Sequence, residues 1–114
     1  MVVTAADVVR AANVTFVVSE NEEAARSLAA EGSDVLAALK PGKGYVECAE
    51  ISEACAKDIA AAISAKEGRF LEAPATGSVR AAENGTLMFL CSGDKALFDE
   101  NHQAFTAMGQ NAMC

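Results

Sequence analysis

Apolar residues in this chain follow two rhythms. Short runs rich in β-branched and aromatic residues, Val14–Val18, Tyr45–Ala49, Arg69–Glu72 and Thr86–Cys91, read as strands, the first as one buried on both faces. Between them the apolar positions recur at helical spacing; the longest such stretch is Glu53 to Lys66, with Cys55, Ile59, Ala62 and Ile63. The polar punctuation agrees. Thr4 and Asp7 predict a capping box ahead of a helix ending near Ala12. Ser19 or Asn21 caps a second helix through Ala30, Ser33 a short third to Leu39, and Ser52 the long fourth. Gly32 ends the second helix, and Gly68 stands where a left-handed residue closes the fourth. After a turn at Ser92–Asp94, a last helix is predicted from Lys95 to Met108, and Asn111–Cys114 can begin another strand.

Strands alternating with helices predict an α/β fold, a partial Rossmann-like three-layer domain with a mostly parallel sheet of about four strands. The connection from Pro74 to Asn84 is short and mostly loop, which leaves the fourth strand open to an antiparallel course. A chain of 114 residues fits one domain.

Composition narrows the chemistry. The 52% hydrophobic fraction supports a core, but it is rich in alanine and aromatics are 5%, so each side chain buries little area. Packing against a partner fits such a core. The formal charge of −7 argues against a nucleic-acid backbone binder, while backbone N–H groups at a helix start can still hold nucleotide phosphates. The four cysteines form no Cys-x-x-Cys pair and there is one histidine, so no metal site is expected. Cys48 and Cys91 read as small buried hydrophobes, a pattern suited to a reducing intracellular compartment. No apolar run reaches membrane-spanning length and no secretory leader is visible, so secretion is not expected.

The stretch Arg69 to Ser78 organises the chain: a strand running into the small residues Thr76, Gly77 and Ser78. Those three read either as a cradle for a carboxylate or as a turn needing small residues. Val18 and Ser19 lie where open α/β sheets hold ligands, or they simply lead into a helix cap. Glu47 and Glu50 are two carboxylates near one strand end, a pair that alone defines no acid–base site. Lys40 and Lys66 sit at helix ends, where the dipole favours a cation, and His102 lies among polar neighbours. No Gly-x-Gly-x-x-Gly turn occurs anywhere, so the backbone N–H groups that hold a dinucleotide pyrophosphate are missing.

Four stretches together resemble the β-hydroxyacid dehydrogenase family, whose nucleotide domain is of the 6-phosphogluconate dehydrogenase type. They are Asp7-Val-Val to Val14-Thr-Phe-Val-Val-Ser19, Pro41-Gly-Lys-Gly-Tyr-Val-Glu47, Gly68-Arg-Phe-Leu-Glu-Ala-Pro74 to Gly77-Ser78, and Glu83-Asn-Gly-Thr-Leu87 with Gly93-Asp94. The flavour is that of 3-hydroxyisobutyrate dehydrogenase and the glyoxylate and succinic semialdehyde reductases, a branch that also includes a nuclear protein associated with nucleosomes. The resemblance implies that residues 1–114 form the C-terminal part of a Rossmann-like NAD(P)-binding domain. It lacks the glycine-rich first βα unit, the catalytic lysine and the helical C-terminal domain. It also implies substrate positions at Ala49, Thr76, Gly77 and Ser78, and cofactor positions at Val18, Ser19 and Glu50. Where relatives carry Asp-x-Ser-Thr this chain has Glu47, Cys48, Ala49 and Glu50, so two hydroxyls are lost and a charge is gained.

The expected function is therefore a degenerate, non-catalytic domain serving as a structural or interaction subunit, with vestigial site residues and no catalytic ones. A protein partner or larger assembly would cover the exposed sheet edge. The alternative is an NADP-dependent oxidoreductase of the glyoxylate or succinic semialdehyde reductase type, its phosphate loop and lysine lying outside this chain. NADP would then bind only where the site is completed elsewhere. A nuclear interaction module is a third option.

Overall fold

Capping chemistry decides where the helices begin. In the computed structural model, which describes residues 4–76, 88–90, 92–104 and 111–113, Thr4, Asn21, Ser33, Ser52 and Asp94 each accept a backbone N–H at a helix start. The elements are α1 (Ala5–Ala11), β1 (Val14–Val17), α2 (Glu22–Leu28), α3 (Asp34–Ala38), β2 (Gly44–Glu47) and α4 (Glu53–Ala65). After them come β3 (Arg69–Glu72), β4 (Ala75–Thr76), β5 (Met88–Leu90), β6 (Ser92–Gly93), α5 (Lys95–Glu100) and β7 (Asn111–Met113). The Thr4/Asp7 capping box is complete in both directions.

The main sheet has the order β1-β2-β3-β6, with β1, β2 and β3 parallel and β6 antiparallel to β3. The register sets Thr15, Tyr45 and Phe70 side by side, and Val17, Glu47 and Glu72 likewise. The period-two pleat then sorts the side chains. Tyr45 joins Val9, Ala25, Leu36, Ile59 and Ile63 under α1–α4. Val46 and Leu71 face the other way and pack against Leu97 and Phe98 of α5. A second sheet has the order β4-β5-β7, with β4 antiparallel and β7 parallel to β5.

Several sequence expectations change here. Within the Pro74–Asn84 connection Ala75 and Thr76 form β4, a strand that the sequence does not single out. Ser92 and Gly93 pair with β3 rather than only turning the chain. The first strand is not buried on both faces; all four of its residues are half-exposed, because β1 ends the strand order among the described residues. It stops at Val17, and β2 stops at Glu47, leaving Cys48 half-buried beyond it. The described α5 ends at Glu100; Phe105 to Met108 lie outside the described residues, as does Cys91.

Side-chain ties hold the layers in place. Lys43 Nζ donates to the Val9 and Arg10 carbonyls at 2.7 and 2.6 Å, satisfying the open end of α1. Arg26 meets Asp58 at 2.6 Å, joining α2 to α4. Arg69 reaches Asp94 at 3.0 Å and Glu100 at 2.7 Å, fixing α5 against β3. The Arg69 guanidinium and the Leu97 N–H together hold the Asp94 carboxyl below the usual range.

The end of α4 corrects another expectation. Gly68 N–H donates to the Ile63 carbonyl at 3.0 Å and Glu67 N–H to that of Ser64 at 2.9 Å, a Schellman closure. The left-handed residue is Glu67, at φ 59°, not Gly68. Gly68 is required for space: a Cβ there would lie 2.7 Å from Leu39 Cδ2 and 2.9 Å from Ile63 Cγ2. Glu67→Gly is expected to raise stability by about 0.5–1 kcal/mol, since glycine takes positive φ without strain. Gly68→Ala is expected to lower it by about 1–3 kcal/mol through overpacking. Urea-unfolding midpoints of the two variants check both directions.

Candidate functional site

Three parallel strands end at one edge of the sheet, where open α/β folds hold ligands. Val18 and Ser19 follow β1, and Cys48, Ala49 and Glu50 follow β2. Ala73 and Pro74 lead from β3 into β4, which contains Thr76. The register thus brings the expected positions Val18, Ser19, Ala49 and Glu50 to one lip. Val18 is 82% exposed, Ala49 is buried and Glu50 is exposed. Thr76 lies in β4 with Met88 as its partner in the ladder. Gly77 and Ser78 lie outside the described residues.

The centre of the lip is a carboxyl group. Glu47 closes β2 and is fully buried, and neither of its oxygens has a hydrogen-bond partner among the described residues. The buried hydroxyls of Ser19 and Tyr45 are unpartnered as well. Burial pushes the Glu47 carboxyl up to about 7; the nearby Glu72 charge adds to the rise and the Ser19 hydroxyl opposes it. Burial also raises Glu72 and, with the Glu47 charge beside it, lifts the Cys48 thiol to about 11. A thiol held so high is a poor nucleophile at neutral pH.

The surroundings are acidic on every side. Residues 17–25, 47–56 and 72–76 contain no lysine and no arginine. They carry Glu20, Glu22 and Glu23 after β1, and Glu50 and Glu53 around the start of α4. Arg26 of α2 and Lys57 of α4 are paired with Asp58 and Glu53. One carboxylate already occupies the start of α4: Glu22 Oε1 accepts the Ser52 N–H at 2.6 Å, and that bond holds its pKa down. An anion approaching this helix start meets a resident negative charge.

At the expected positions Ala49 offers no hydroxyl and Glu50 is an exposed carboxylate. Among the described residues no cluster of three or more histidine, cysteine, aspartate or glutamate side chains is placed to hold a metal ion. A cleft lined by Glu31, Leu36, Ala62 and Lys66 lies at the opposite end of the sheet from these residues. The adjacency of Glu47 and Glu72 was not visible in the sequence, since it depends on the β2–β3 register. Neither was the bond from Glu22 to Ser52, which are 30 positions apart.

The whole chain, residues 1–114, matches the profile of the NAD binding domain of 6-phosphogluconate dehydrogenase. The chain belongs to this family. Within it, similarity extends to the cytokine-like nuclear factor N-PAC of Anopheles gambiae, 38% identical over 96% of this chain and 19% of that protein. Among solved structures, 3-hydroxyisobutyrate dehydrogenase of Mycobacterium tuberculosis superposes with a TM-score of 0.87 at 25% identity, covering 96% of this chain and 37% of that one. A structure of Psf3 in complex with NADP+ and 2-OPP superposes with a TM-score of 0.85 at 25% identity, over 95% of this chain and 38% of that one. The chain therefore spans about a fifth of the length of its N-PAC relative. Nicotinamide cofactors belong to the chemistry of the family. Among the described residues no helix is long and apolar enough to cross a membrane.

The buried carboxyl makes stability depend on pH. Glu47 holds its proton in the folded chain to about 7 but releases it near the ordinary 4.5 when unfolded, so folding is favoured below that window and loses stability as pH rises through it. The expected loss is on the order of 2 kcal/mol between about pH 5 and about pH 8. Glu47→Gln removes the titration; its denaturation midpoint should stay nearly level across that range and exceed the parent's at the alkaline end.

Proposed function

We propose that this chain is a dehydrogenase-like domain that has given up turnover and serves as a structural or interaction module. The observation that carries the reading is the acidic lip. A dinucleotide brings at least two negative phosphates, and the strand ends that would receive it present Glu20, Glu22, Glu50 and Glu53 without a described free cation. Ala49 and Glu50 remove the hydroxyls that the family resemblance assigns to substrate and nicotinamide. The name nuclear factor carried by the N-PAC relatives supports a role other than catalysis. The half-exposed edge of β1 and the exposed Val18 support a protein partner there, inside a reducing compartment.

A second reading has its own support. The full-length match to a nucleotide-binding family and the NADP+ complex of the superposing Psf3 structure favour an NADP-dependent oxidoreductase completed by residues elsewhere. Calorimetric titration of the purified chain with NADPH and with NADH separates the two. The proposed function expects no saturable heat up to about 1 mM nucleotide, and micromolar binding of either overturns it.

A further inference from the structure

The charge at the strand ends is one-sided, and the opposite end of the sheet is not. Arg10, Lys40, Lys43, Lys66 and Arg69 all stand near the strand starts, interspersed with Glu31, Asp34 and Glu67. Among the described residues 17–25, 47–56 and 72–76 the charged side chains are all carboxylates. We propose that this lip is an interaction surface for an extended lysine- and arginine-rich protein segment. The proposal rests on the non-catalytic reading, since the same edge cannot hold an anionic dinucleotide and a cationic chain together.

Two independent features point to a cationic guest. The segments that follow β1 and β2 carry Glu20, Glu23 and Glu50 to one edge of the sheet, where Glu72 closes β3, and such a row matches a row of cationic side chains better than a single ion. At the centre, Glu47 is fully buried with two unpartnered acceptor oxygens, and the buried Ser19 hydroxyl beside it is also unpartnered. The Ser19 hydroxyl is near enough to favour the ionised carboxyl but completes no hydrogen bond to it, so this buried carboxyl is short of donors. Ammonium and guanidinium groups have only donors to offer, so they are the complement of this set. A positive charge at the lip also relieves the repulsion between Glu47 and Glu72, which end neighbouring strands on the same face. Nucleic acid is excluded by sign, and an anionic lipid surface likewise.

Fluorescence anisotropy with a labelled peptide of about eight residues, alternating lysine and arginine with glycine, tests the surface in about 50 mM salt, where such attractions are little screened. Micromolar binding to the purified chain is expected. The lip pair Glu20→Gln with Glu50→Gln should weaken it by about fivefold or more. The control pair Glu31→Gln with Asp34→Asn makes the same change in net charge at the other end of the sheet and should weaken it by less than about twofold. Glu47→Gln should also weaken binding although it removes a destabilising ionisation, which separates the acceptor role from a loss of folding. Equal weakening by the lip and control pairs reduces the effect to net charge and overturns the proposal, as does failure of the parent chain to bind at about 100 μM peptide. That failure, with NADPH also unbound, removes only the basic partner and leaves the non-catalytic reading standing. Micromolar NADPH binding removes both.

Discussion

The parallel hydrogen-bond register of β1, β2 and β3 is the constraint on which the rest depends. Parallel strands need a crossover between each pair, so every strand here ends at the same edge and every following helix starts there. Val17, Glu47 and Glu72 are aligned by that ladder. The same ladder gives the sheet its two faces, with Tyr45 and Glu47 under the helices α1–α4 and Val46 and Leu71 under α5. A slip of one residue would exchange the faces and put Glu47 among Leu71, Leu97 and Phe98.

Much of the stability is tertiary capping. Lys43 closes α1, and Glu22 seals the start of α4 from a neighbouring helix. Asp94 both caps α5 and binds Arg69. These contacts suit a chain whose core is rich in alanine, where buried area per residue is small. The Glu22 bond to Ser52 ties α2 to the start of α4 and sets a negative charge there.

The fold was largely legible from the chain itself because its signals are local. Cap residues followed by periodic apolar positions located all five described helices, and short apolar runs located the parallel strands. The errors were also local in cause. Gly68 reads as a left-handed residue from composition, but the Schellman geometry gives that conformation to Glu67 and asks Gly68 for space against Leu39 and Ile63. Val14–Val17 reads as doubly buried because the run is apolar, yet its burial depends on neighbours that periodicity does not reveal. Ala75–Thr76 is too short a strand to carry a pattern of its own.

The site was legible only in part. Family resemblance pointed to Val18, Ser19, Ala49 and Glu50, and the register does place them along one edge. What the sequence by itself determined was ancestry and the alternation of elements, both of which follow from residue type and order. Its −7 charge said nothing of where that charge lies. Only the tertiary structure decided that Glu47 is buried beside Glu72, that Glu22 occupies the start of α4, and that the described strand ends gather carboxylates along one lip. The physical reason is that electrostatic character depends on distance and burial, and a parallel sheet gathers residues some thirty positions apart onto one edge.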